Sequence, residues 1–348
     1  RAMNNGWQGG QLSRRRFALA LPLLGAVAWA SPGLAQAAGP QRASRNLMGT
    51  RVDIVADGGD ARYLQAAIGL AFDEMQRLEA LLSRYREDSV VRRIGHAAGR
   101  HPVAVSPEVL AILRNAQQVW RESAGAFDPT VGALSGWHFE AGQQAMPAAT
   151  DIAAALRHVD ARKLRLDERA GTAYLSERGM QLDLGGIAKL PILAAGLRVL
   201  EREGVANALV NGGGDVLASG RLQGRPWRVG VRDPRAPEKL LGAIEVEGFG
   251  IVASSGDYER GFMHQGRRLH HVLDPQSGWP TSGVHGVALL ARDVRAVNGW
   301  GTALMVQGMA AVPAWSAGHP DVAVLAAGSD GALWQSRGMA AALKSIAA

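Results

Sequence analysis

Asp183-Leu184-Gly185-Gly186-Ile187-Ala188-Lys189 is the run on which the reading of this chain turns. It follows a short stretch that reads as a strand, Met180 to Leu182, and leads into a helical pattern from about Ile187 to Glu203 that Gly204 ends. Paired glycines allow close backbone approach, and a helix start offers free N–H groups to an anion. Lys189 adds a cation. The run is not a Walker-type loop, because the first glycine is missing and Leu190 stands where Ser or Thr is needed. It is not Gly-x-Gly-x-x-Gly either. Without further support it also reads as a tight turn with an acid at a helix start.

Working outward, Leu47 to Val55 reads as a strand and Ala61 to Tyr85 as a long helix. Leu64, Ile68, Ala71, Met75, Leu78 and Leu82 fall on one face of that helix. Ser106-Pro107 opens a second helix, with Ser as N-cap and Pro at the first position, and Gly125 can end it. Ala145 to Leu166 reads as helix and connector, and Ala173–Leu175 with Met180–Leu182 as a β-hairpin. Short strands follow at 208–211, 216–220, 227–231, 243–246, 250–254, 268–273 and 284–290. Ala296 to Met309 reads as a helix, 322–326 and 333–335 as closing strands, and 339–348 as an Ala-rich helix or tail. Helices and mainly antiparallel strands interleave without strict βαβ alternation, which predicts an α+β fold rather than a doubly wound sheet.

The 348 residues are 47% hydrophobic, enough for a sizeable core and too apolar for a disordered chain. There is no Cys, which excludes disulfides, thiolate metal sites, Fe–S clusters, a Cys nucleophile and a lipoprotein anchor. The formal charge is +7, but Arg1, Arg14, Arg15 and Arg16 carry four of those charges ahead of the first acid, Asp53. The remainder is only weakly basic, so nucleic acid is not an expected partner. Ser13-Arg14-Arg15-Arg16-Phe17, the apolar run Ala18–Ala30 and Ala35-Gln36-Ala37 make an export signal. The paired arginines predict the twin-arginine translocation machinery, cleavage after Ala37 and a periplasmic protein. The expected organisation is therefore 1–37 signal and 38–348 one domain. The sequence opens on Arg1 rather than Met, so residues upstream are expected.

Four more turns carry chemistry-bearing residues. They are Gly125-Ala126-Phe127-Asp128-Pro129-Thr130, Asn211-Gly212-Gly213-Gly214-Asp215, Ser255-Gly256-Asp257-Tyr258-Glu259-Arg260, and His271-Val272-Leu273-Asp274-Pro275-Gln276-Ser277-Gly278. The last places a His and an Asp where general acid–base work is possible, although Asp-Pro-x-Ser-Gly is also an ordinary turn. Arg84, Arg86, Arg92 and Arg93 read as a solvated face, and Trp137-His138-Phe139 as packing. No His/Glu cluster has transition-metal spacing.

Taken in order, these pieces resemble the ApbE family of FAD:protein FMN transferases. The matching residues include Met48-Gly49-Thr50, Ser83-Arg84-Tyr85, Asp88-Ser89, Ala126–Pro129, Asp183–Lys189, Asn211–Asp215, Trp227, Asp233-Pro234, Ser255–Tyr258, His271–Gly278 and Thr302-Ala303-Leu304. The resemblance implies one α+β unit with FAD in a cleft between two lobes. It implies cleavage of the FAD pyrophosphate with Mg²⁺, transfer of FMN to a Ser or Thr of a partner protein, and release of AMP. It also implies FAD contacts from Met48, Tyr85, Ala126, Phe127, Asp128 and Asp183. The metal would be held by the Gly186 carbonyl and the side chains of Asn298 and Thr302. His271, Asp274 and Lys189 would serve the chemistry, with His271 or Asp274 deprotonating the acceptor hydroxyl. The expected acceptor is a protein of a periplasmic respiratory or redox complex.

Two departures from the family pattern stand out. Asn298 occupies the position of a metal-binding carboxylate, which removes a full negative charge beside a divalent cation. Gly299 and Gly301 loosen the same helix, and Leu190-Pro191 replaces a Gly-aromatic pair, with Pro191 acceptable in a first helical turn. An alternative is therefore a flavin-binding maturation or chaperone protein of the same fold with weak or no transfer.

Overall fold

The computed structural model describes residues 39–345, and the predicted export signal lies outside them. The chain opens with a hairpin, β1 (Gln41–Leu47) and β2 (Thr50–Asp57). Helices α1 (Ala61–Leu82) and α2 (Val90–His96), strand β3 (Val103–Ala104) and helix α3 (Pro107–Glu122) follow. After a long loop come α4 (Ala149–Leu156), β4 (Leu164–Asp167), β5 (Thr172–Leu175) and α5 (Gly185–Arg202). Five strands succeed one another: β6 (Asn207–Gly212), β7 (Asp215–Ser219), β8 (Trp227–Asp233), β9 (Ala236–Val246) and β10 (Gly250–Gly256). A small hairpin, β11 (Gly261–His264) and β12 (Arg267–His270), precedes β13 (Val284–Ala291). Helices α6 (Val294–Val297), α7 (Trp300–Gln307) and α8 (Val312–Gly318) lead to β14 (Ala323–Gly328) and β15 (Leu333–Gln335). Helix α9 (Arg337–Ala342) and β16 (Leu343–Lys344) end the described chain.

Eight strands form one sheet in the order β1-β2-β6-β7-β10-β13-β14-β15, every neighbouring pair antiparallel. This is the α+β arrangement that the sequence predicts. The main core packs the buried faces of α1 and α5 against one side of the sheet. On the other side a three-stranded sheet, β16-β9-β8, lays Trp227, Val229, Val231 and Ile244 against Val55, Leu209, Val216 and Ala218. The central strands are thus covered on both faces, so β7 is buried at every residue, with Val216, Leu217 and Ala218 as its apolar centre. The helix face predicted for α1 is buried throughout.

Several boundaries differ from the expectations, each for a local reason. Leu47–Val55 is not one strand but the centre of a hairpin, because Met48 and Gly49 both take positive φ (54° and 69°) and turn the chain back. Helix α1 stops at Leu82 with Ser83 extended, which frees Arg84 and Tyr85 from it. Met180–Leu182 does not pair with β5; β5 pairs instead with β3 and β4, and Gln181 bridges Val131 in parallel. The helix expected over 296–309 is broken between α6 and α7, where Gly299 sits at φ 80°. Pro191 lies inside α5 beyond the first turn, so the Ile187 carbonyl loses its usual donor.

Helix α5, which carries the glycine-rich run at its start, is seated on α1 through Gly196. A Cβ there would meet Met75 Sδ at 2.8 Å and Cγ at 2.9 Å. Met75 is itself fully buried, so it has little room to withdraw. Gly196→Leu is expected to destabilise the protein by roughly 1–3 kcal/mol through overpacking, read as a lower urea midpoint.

Candidate active site

The site is built around the start of α5. Asp183 precedes it, and its backbone N–H donates to the Pro129 carbonyl at 2.8 Å. Gly132 lies so close to Leu182 that a Cβ would stand 2.5 Å from the Leu182 carbonyl carbon. The 126–132 loop and the 181–183 stretch therefore run side by side with no room for a side chain between them. One Asp183 oxygen accepts from the Gly185 N–H at 2.8 Å, and the other takes the Arg84 guanidinium at 2.5 Å. Burial alone would raise the Asp183 carboxyl, but the Arg84 charge and the Gly185 N–H outweigh it and hold it below its ordinary value. Arg84, expected on a solvated face, is thus a partly buried ion-pair partner of the central acid. Its neighbour Tyr85 is 74% exposed, an open aromatic face beside the pair.

At Gly186 a Cβ would stand 2.9 Å from Thr302 Oγ1 and 3.3 Å from the Phe127 ring. Only glycine lets α5, α7 and the 126–132 loop meet there. Asn298, at the α6–α7 break, is buried and donates its amide N–H to Asn115 Oδ1 on α3 at 2.8 Å. Next to it Gly299 approaches Ile187, the residue after Gly186. The three expected metal-site residues, Gly186, Asn298 and Thr302, are therefore drawn to one place. Among the described residues no three His, Asp or Glu side chains gather into a metal site.

Lys189, one turn along α5, lies 3.1 Å from Asp215 Oδ2, and Asp215 Oδ1 accepts from the Ser254 N–H at 2.8 Å. Burial works against the Lys189 charge, yet Asp215 and Glu259 raise its pKa above the ordinary lysine value. The Asn211–Asp215 turn is tied to α5 through this ammonium group, with the Glu259 charge nearby.

His271 follows β12. Its backbone N–H donates to the Arg260 carbonyl at 3.1 Å, and its ring Nδ1 lies 3.4 Å from the same oxygen. A carbonyl only accepts, so Nδ1 carries the proton in this contact and Nε2 keeps a lone pair. Burial, helped by the Arg260 and His270 charges, pushes the imidazole pKa down to about 3.

Other predicted residues sit differently. Asp274 turns inward on its own loop: Oδ1 accepts from the Gln276 N–H at 2.9 Å and Oδ2 from the Ser277 hydroxyl at 2.8 Å. Asp128 is buried, one oxygen held by the Thr130 N–H and hydroxyl and the other by the Ala161 N–H, and burial raises its carboxyl despite those bonds. Ala126 and Phe127 are buried beside it, the Phe127 N–H donating to Ser123 Oγ. Met48 stands at the β1–β2 turn, where its N–H donates to Glu79 of α1. Sequence reasoning missed Asn115 altogether; it quoted Arg84 and Asp215 within their motifs but not as the ion-pair partners of Asp183 and Lys189.

The sequence model of the ApbE family matches residues 48–326, which takes in every element just described from the β1–β2 turn to β14. This chain belongs to the ApbE family. It is 35% identical over 248 residues to a FAD:protein FMN transferase of Klebsiella pneumoniae strain 342, covering 70% of this chain and 77% of that protein. A FAD:protein FMN transferase of Treponema pallidum strain Nichols is 33% identical over 267 residues, 71% of this chain and 73% of the relative. The crystal structure of the ApbE protein of Thermotoga maritima superposes with a TM-score of 0.80 at 29% identity, covering 88% of this chain and 99% of that one. The mainly antiparallel α+β fold is thus the ApbE fold.

The low pKa of His271 has a consequence for stability. The unfolded chain protonates this ring at its ordinary value near 6.5, the folded one only near 3. Between those values the unfolded state binds the extra proton, so folding stability falls as pH falls through that window. Urea melts across it are expected to show a shallower loss for His271→Asn than for the unaltered protein.

Proposed function

We propose that this chain is a FAD:protein FMN transferase that moves FMN from FAD to a Ser or Thr hydroxyl of a periplasmic redox partner. The observation that carries the reading is the meeting of Gly186, Thr302 and Phe127 at the start of α5, flanked by the Arg84–Asp183 and Lys189–Asp215 pairs. Close backbone approach, a helix start and fixed cations suit a pyrophosphate. The exposed Tyr85 ring supplies a stacking face for the flavin.

In this mechanism the acceptor hydroxyl oxygen attacks the FMN phosphorus, the bond to the AMP phosphate breaks, and the hydroxyl proton passes to His271 Nε2. The Nδ1–H contact with Arg260 fixes the tautomer that leaves this nitrogen free. Approach of the anionic diphosphate raises the basicity of the ring from its depressed value, which times proton uptake to substrate binding. Lys189, held against Asp215, offsets phosphate charge without titrating. Asp274 shapes the loop that presents His271 rather than taking the proton itself.

The residues expected to hold Mg²⁺ fit a hard cation in kind, since the Gly186 carbonyl, Thr302 Oγ1 and Asn298 Oδ1 are all oxygens. With the Asn298 N–H committed to Asn115, its Oδ1 is the atom left for such a role. The set is neutral, so affinity depends on the phosphates of FAD. When bound, the ion draws charge from the pyrophosphate. Export through the twin-arginine route and removal of residues 1–37 complete the reading, supported by Ser13–Ala37.

The neutral set also favours a second reading, a flavin-binding maturation protein with little transfer. Incubation of residues 38–348 with FAD, Mg²⁺ and a Thr-bearing acceptor peptide separates the two. AMP release and flavin on the peptide are expected, with Asn298→Asp lowering the Mg²⁺ concentration needed for half-maximal turnover. FAD binding with turnover only in Asn298→Asp would establish the second reading instead.

A further inference from the structure

His285 lies outside the site and outside the short motifs quoted from the sequence, yet its placement is specific. Strand β13 pairs Val284 with Gly328 and Gly286 with Ala327, so His285 is an extra residue against one step of β14. Such bulges re-aim a side chain and recur beside active sites. This one turns the His285 ring onto Asp257, whose Oδ2 accepts from the ring Nδ1–H at 2.7 Å. Asp257 is buried, and its own N–H donates to the His285 carbonyl at 3.0 Å. Arg268 of β12 stands farther off, at 3.9 Å from the same carboxylate oxygen, with His270 nearby.

Asp257 begins the turn that ends at Arg260, and the Arg260 carbonyl is the atom that holds both the backbone and the ring of His271. Tyr258 in the same turn packs over Gly256, where a Cβ would stand within clash distance of the tyrosine ring. The turn therefore has one anchored end, Asp257, and one working end, Arg260.

We infer that His285 is a positioning residue: its hydrogen bond to Asp257 fixes the 257–260 turn and, through the Arg260 carbonyl, the tautomer and place of the His271 ring. The inference rests on the proposed role of His271 for its catalytic consequence, but not for the structural link. The His285 ring is partly open to solvent, so water can reach Asp257 when the ring is removed. His285→Ala should fold and lose only the anchor. His285→Asn keeps an amide donor where Nδ1 stands and should restore it.

The test has two readouts on residues 38–348. In ring ¹H–¹³C spectra, with His271 assigned from His271→Asn, the His271 signal is expected to move in His285→Ala and to return in His285→Asn. In transfer assays His285→Ala should lower kcat roughly ten- to hundredfold while FAD affinity stays within about twofold, as a slight misplacement of a reacting group would. In a His271→Ala background the same change should add nothing. If the alanine variant does not fold, His285→Gln, whose longer amide overreaches Asp257, is expected to shift the His271 signal in its place. An unmoved His271 signal, or a full additional loss in the His271→Ala background, would overturn the inference. Failure of the unaltered protein to release AMP would sink the transferase reading alone, because the spectra still report on the link.

Discussion

No atom larger than hydrogen fits on the Cα of Gly186, and the arrangement of the site follows from that. A Cβ would press on Thr302 and Phe127, forcing α7 and the 126–132 loop away from the start of α5. The same logic repeats along the helix. Gly196 admits Met75 of α1, and Gly212 of β6 admits Leu193 of α5. Helix α5 is therefore seated by close contacts on three sides, and its first turn is held in place while it projects toward the loops. A helix that carries the cationic Lys189 and the acid before its start must be rigid for those charges to be useful.

The charges around that start are arranged in pairs, each tied to a different element. Arg84, from the loop after α1, pairs with Asp183, and Asp215, at the start of β7, pairs with Lys189. Each pair does two jobs. It offsets the burial cost of its partner, which an isolated charge at that depth could not bear. It also ties two chain segments distant in sequence, so the walls of the site are held by its own charge pairs.

The two departures at Asn298 and Pro191 lie on this same frame. Asn298 keeps the geometry of a buried cap, with Asn115 as partner, while removing negative charge. Pro191 removes one helical hydrogen bond, yet α5 continues to Arg202 because eleven of its residues are buried against α1 and the sheet. Tertiary burial there outweighs a local penalty of about 3 kcal/mol.

The sequence by itself determined the α+β class, the buried face of α1, the N-cap at Ser106, most of the sheet strands and the family through its ordered turns. Those are local properties, written in spacing, caps and glycine placement. It misjudged the Met48-Gly49 turn, the break at Gly299 and the pairing of β5. A positive φ at Met48 has no composition signal, and strand partners distant in the chain are chosen by the core. The gathering of Arg84, Asp183, Lys189, Asp215 and His271, and the Asp257–His285 contact, were decided only by the tertiary structure. Side chains up to about a hundred residues apart meet there through sheet order and helix seating, and no spacing along the chain encodes a distance that the fold alone creates.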